Sequence, residues 1–171
     1  MKSVKSQVWV ETVVYTLIGL AIIAIILGIA MPKIRETNDR VLLEQTITAM
    51  TDLNEVIDST RIAAGNSRIV NFKINKGELF IDGLNDSIIF YLKNTNLRFS
   101  ETGVEIPQGD LILKTQENQK NYDISLELDY SGKFNISYNG QDITKVLSQA
   151  PTAYKILIIN KGGENIDISL S

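Results

Sequence analysis

The side chains that most often do chemistry are missing from this chain: its 171 residues include no Cys and no His. That removes thiol nucleophiles, disulfide staples, Cys/His zinc sites and imidazole acid–base catalysis. What remains are carboxylates, lysines and hydroxyls. Asp82, Asp86 and Asp110 come nearest to a calcium set, yet no Asp-x-Asp-x-Asp-Gly loop is present. No Gly-rich phosphate loop occurs, and Gly162-Gly163 has the setting of a hairpin turn. No spacing singles out a carboxylate pair or a Ser/Lys dyad, so no enzymatic role, metal or cofactor is expected. Asn85-Asp86-Ser87 and Asn135-Ile136-Ser137 are N-glycosylation sequons, with Asn85 and Asn135 as the acceptors. The net charge of −3 offers no Lys/Arg excess for a polyphosphate, so no nucleic acid partner is expected.

One carboxylate stands out by position. Glu11 lies at the mouth of an apolar run, and from Thr12 to Pro32 no residue is charged. A membrane span needs about 20 predominantly apolar residues, which this run supplies. A carboxylate drawn to the bilayer centre would cost roughly 2.5 kcal/mol or more. Glu11 can avoid this by staying at headgroup level or by capping the helix N-terminus, where anions are favoured. Lys2 and Lys5 precede the run, whereas Lys33, Arg35 and Arg40 behind it are mixed with Glu36 and Asp39. The positive-inside rule then puts the N-terminus in the cytoplasm and the rest outside. A rival reading is a secretory signal peptide, for which Gly28-Ile29-Ala30 offers a small-x-small cleavage site.

The segment Lys5-Ser6-Gln7-Val8-Trp9-Val10-Glu11 resembles the processing site of archaeal type IV pilins and archaellins, the class III signal peptides. In that family a short basic leader ends in a small residue, a prepilin-type membrane peptidase cuts before the apolar helix, and the fifth residue of the mature chain is commonly Glu. The resemblance implies cleavage between Ser6 and Gln7, with Glu11 fifth in the mature chain. Ser6 stands where Gly or Ala is more usual, and Trp9 where a small residue is common. The likeness covers about the first 40 residues. It implies that Glu11 meets a new α-amino group at Gln7, its own or a neighbour's, since residues four apart share a helix face. A carboxylate inside a filament core needs such a partner.

Past Pro32, which removes an N–H and is expected to kink or break the helix, the pattern is helical again. Leu42, Thr46, Ala49, Leu53, Val56, Thr60 and Ala63 repeat at three and four, and Leu43, Ile47, Met50 and Ile57 widen the stripe. Gly65-Asn66-Ser67 ends it. One helix from Gln7 to Ala64 would be roughly 87 Å long.

From Arg68 onward the period becomes two. Strands are expected over Val70 to Ile74, Glu78 to Asp82, Leu97 to Phe99, Val104 to Ile106 and Asp110 to Lys114. Ile88 to Leu92, continuously apolar, reads as a central strand. Tyr122 to Tyr130 turns through Ser131-Gly132-Lys133 into Phe134, Ile136 and Tyr138, and Tyr154 to Ile159 with Ile166 to Leu170 makes a last hairpin.

The expected fold is α+β: a long N-terminal helix, first transmembrane and then amphipathic, packed on an antiparallel β-sheet or small β-sandwich. The expected divisions are a leader at 1–6, a transmembrane and assembly helix at 7–31, a helical extension at 32–65 and an extracytoplasmic β-domain at 66–171. The resemblance implies a structural subunit, major or minor, of a type IV pilus-like surface filament. Its partners would be itself or other pilin-like subunits, the prepilin-type peptidase and membrane lipid. The alternative is a non-polymerising single-pass membrane protein with an extracytoplasmic β-rich binding domain.

Overall fold

The computed structural model describes residues 3–171, with side chains from Trp9 onward. The chain divides into two compact units, Met1–Asn38 and Asp39–Ser171. Helix α1 (Ser3–Arg61) contains Pro32. The helix assignment continues on both sides of that proline. Thr37 and Thr46 return their hydroxyls to the carbonyls four residues back, so these polar side chains are satisfied within the helix itself.

Ten strands follow: β1 (Ser67–Phe72), β2 (Glu78–Asp82), β3 (Ser87–Thr95), β4 (Glu105–Gln108), β5 (Leu111–Asn118), β6 (Asn121–Asp129), β7 (Asn135–Tyr138), β8 (Thr144–Ser148), β9 (Tyr154–Gly162) and β10 (Asn165–Leu170). They form a four-stranded sheet in the order β1-β9-β10-β7 and a six-stranded sheet in the order β4-β5-β6-β3-β2-β8. The six-stranded sheet is antiparallel throughout. In the other sheet β10 pairs antiparallel with β9 and parallel with β7. The architecture is α+β, a long helix with antiparallel sheets.

Several expected strands differ. Leu97 to Phe99 is not a strand. Leu97 is apolar because it plugs the core from a loop, its N–H held by the Thr95 hydroxyl at 3.0 Å. The turn at Ser131-Gly132-Lys133 does not close a β6–β7 hairpin. After it the chain leaves the six-stranded sheet, and β7 joins β10 in the other one. The strand β8 has only Leu147 fully buried, and its alternation is correspondingly faint. The β9–β10 hairpin forms as expected, with Gly162 and Gly163 at positive φ in its turn.

One core joins the three layers of the second unit. Leu43, Met50, Leu53 and Ile57 of α1 bury against Phe90 and Leu126 of the six-stranded sheet and Ile158 and Ile168 of the four-stranded one. These helix positions are spaced by three, four and seven, so one face enters the core. Polar contacts fix the helix at three levels. Asp39, at the start of this unit, accepts from Thr95 Oγ1 at 2.5 Å and Lys76 Nζ at 2.7 Å. Midway, Asn54 accepts from the Tyr130 hydroxyl at 2.9 Å and donates to Asp110 at 3.2 Å. At the end, Asn160 donates to the Thr60 and Arg61 carbonyls at 3.3 and 3.1 Å, satisfying acceptors that a helix C-terminus leaves open.

Candidate functional site

In the first unit the feature with functional potential is the apolar surface of α1. It holds one stretch long and apolar enough to cross a membrane. Its large side chains are exposed on every side: Trp9 is 71 % exposed, Leu17 59 %, Ile25 64 % and Ile29 74 %. Soluble domains rarely leave a contiguous apolar surface of this kind bare. Glu11 lies on α1 at the start of that stretch and is exposed. The side chains of Ser6 and Gln7 lie outside the described residues. Pro32 lies at the other end of the uncharged run, within the helix.

The two sequons begin at surface positions of the β-domain. Asn85 sits in the β2–β3 turn, exposed, and donates to Asp82 at 2.7 Å. Asn135 opens β7, half-buried, with its N–H on the Glu164 carbonyl at 2.9 Å. Their hydroxyl partners, Ser87 and Ser137, are both buried.

The aspartates considered as calcium ligands organise turns and packing. Burial works to raise the Asp82 carboxyl. Hydrogen bonds from Asn85, Thr144 and the Leu84 N–H outweigh it and hold the group below its usual range. Asp86 accepts from the Ile136 N–H at 2.8 Å, tying the β2–β3 turn to β7. Asp110 receives the Asn54 amide, as above, and Lys133 at 3.8 Å. Burial, followed by the nearby Asp58 and Asp110 charges, pushes the Tyr130 phenol upward, so that it stays a neutral donor to Asn54. Among the described residues no group of three acids is placed to hold a metal ion.

The outer faces of both sheets carry a signal that the periodicity did not isolate. On the six-stranded sheet, register puts Val146, Phe80, Ile89, Glu127, Ile112 and Pro107 in one row across all six strands. Every member of that row is at least partly exposed. Phe80 and Tyr91 meet edge to face at 5.3 Å between centroids, with Lys93 over both rings. Glu127 sits in this row with Lys114 of the neighbouring strand near enough to act on its charge. Among the described residues it has no hydrogen bond or ion pair, and burial, then Asp129 and Glu105, raise its carboxyl above the ordinary value. Lys114 pairs instead with Glu105 at 2.8 Å, which raises the lysine. The continuous apolar run Ile88 to Leu92 has its reason here: Ile88, Phe90 and Leu92 face the core, while Ile89 and Tyr91 face outward.

On the four-stranded sheet the outward positions of β9 are Lys155, Leu157, Ile159 and Lys161, with Ile69 of β1 beside Leu157. Asp167 of β10 lies beside Ile159, but it is buried and engaged by the Ser137 hydroxyl at 3.1 Å, the Gly140 N–H at 2.7 Å and Lys161 at 3.7 Å.

Compared with protein-family models, curated proteins and solved structures, the chain matches none. The functional reading therefore rests on the residues and their geometry.

Proposed function

We propose that this chain is a structural subunit of a type IV pilus-like surface filament. In this reading it is stored in the membrane by the first half of α1 and, after cleavage between Ser6 and Gln7, assembled through the same helix. The observation that carries the reading is the assignment of α1 itself. One helix runs from the leader-like segment through an apolar stretch bare on all sides, and its last turns supply a face of the domain core. A simple anchor needs the first half only. An assembly helix needs a surface that lipid can cover first and sister helices later.

Glu11 has a defined task in this reading. The new α-amino group at Gln7 is a cation four residues away on one helix face. An amine–carboxylate pair between neighbouring subunits would compensate both charges in an apolar filament core and set the axial register. The apolar side chains would supply the attraction through close packing. The reading places the N-terminus in the cytoplasm before assembly and the β-domain outside the cell, where Asn85 is accessible to glycosylation. The chain's work would be structural rather than catalytic.

The test is electron microscopy of cells carrying the intact chain or Glu11→Ala, with immunogold labelling of the β-domain. Labelled filaments that disappear in the variant, while the protein stays in the membrane, support the proposal. Filaments unaffected by Glu11→Ala would sink the pairing. Protein confined to the membrane with no filament in the parent strain would favour a non-polymerising single-pass protein with an external binding domain.

A further inference from the structure

We infer that copies of this chain dock through two different outer faces of the β-domain, the acidic apolar row of the six-stranded sheet on one copy meeting the lysine-flanked face of the four-stranded sheet on the next. This rests on the filament reading for what gathers the copies, and on the charge pattern of the faces for how they meet.

The outward positions of the six-stranded sheet carry Glu78, Asp82, Glu105, Asp123, Glu127 and Asp129 against only Lys93 and Lys114. Both lysines are already paired within the chain, to Glu78 at 3.2 Å and Glu105 at 2.8 Å. Since the whole chain has a net charge of only −3, this face holds an outsized share of the acid. The four-stranded face has the opposite balance. Lys155 and Lys161 flank Leu157 and Ile159, Ile69 is 56 % exposed beside them, and its acid, Asp167, is buried, held by the Ser137 hydroxyl and the Gly140 N–H and 3.7 Å from Lys161.

Three pairings of these faces are conceivable. Two six-stranded faces would set carboxylate against carboxylate, and two four-stranded faces lysine against lysine. The mixed contact alone sets apolar row on apolar patch and acid beside lysine. Electrostatic complementarity of this kind selects the partner more than it adds affinity. A mixed contact is heterologous: each copy keeps one face free, so contacts repeat from copy to copy.

The contact is small. Three strand spacings, the width of the four-stranded face, by about four residues give a flat area of about 190 Å², at the weak end for a protein interface. It would be occupied only where membrane or helix packing holds copies at high effective concentration.

Because the chain has no cysteine, disulfide trapping is clean. Full-length copies with Ile112→Cys and with Leu157→Cys, carrying different tags, are co-expressed and oxidised mildly in intact cells. The mixed pair is expected to cross-link at least five-fold more than either like pair. Adding Glu127→Lys to the Ile112→Cys copy should cut the yield several-fold, and Lys155→Glu on the other copy should restore it. Like pairs that cross-link as well as the mixed pair would overturn the inference. So would no mixed cross-link while both cysteines react with a maleimide. Filaments without the mixed cross-link would refute this contact and leave the filament reading intact. The cross-link without filaments would do the reverse.

Discussion

The two parts of α1 are both rich in large apolar residues, and those residues have opposite fates. From Trp9 to Ile34 its large apolar residues are bare, while from Leu43 to Ile57 one face is closed off by two sheets. The first part is apolar on all sides among the described residues, and the helix residues buried in the core of the second unit begin at Leu43. The second confines its apolar residues to a stripe and puts Glu44, Asp52 and Glu55 elsewhere. The difference teaches how to read exposure: the same isoleucine is a fold contact in one half and an unmet contact in the other.

Alanine substitutions in the two halves should break that symmetry most sharply. Leu53→Ala removes a buried side chain and should cost about 2–5 kcal/mol, read as a large fall in the melting temperature of full-length protein in detergent. Ile25→Ala should leave that melting temperature unchanged. The reverse contrast comes from charge. Ile22→Arg adds about 2.5–3.5 kcal/mol to membrane insertion, so carbonate-washed membranes should retain much less protein while the β-domain melts as before.

Tyr130→Phe is a finer probe of the second half. It leaves the buried Asn54 carbonyl without its phenol donor and should cost about 1–2 kcal/mol, measured by denaturant titration. The smallest effect is expected on the outer face, at Glu127. Its carboxyl titrates higher folded than unfolded, so ionising it removes stability as pH rises through the folded value. Glu127→Gln should therefore raise the melting temperature by about 1–3 °C at neutral pH, and the gain should vanish below the ordinary carboxylate range. A gain that persists in acid would mean the carboxylate charge is not its cause.

Much of the fold was legible because its signals are local. The uncharged run from Thr12 to Pro32, the stripe through Leu53, and the alternation of β6 and of the β9–β10 hairpin each report burial within one element. What escaped was set by tertiary context. Leu97 is apolar from a loop, β7 changes sheets after a turn that suits a hairpin, and β8 has a single deep anchor in Leu147. Glu11 could be picked out because a charge beside a long apolar run is costly. The outer row through Phe80, Ile89 and Ile112 could not, because it exists only once register aligns four separate strands. Its one trace was the unbroken run Ile88 to Leu92, where an outward-facing polar alternation would be usual.

The central claim is that α1 is a processed assembly helix rather than a tether. The most direct test is mass spectrometry of the N-terminal peptide of the cell-surface form. The account predicts a mature chain beginning at Gln7. A chain beginning at Met1 or Lys2, or at Met31 after cleavage behind Ala30, would contradict it.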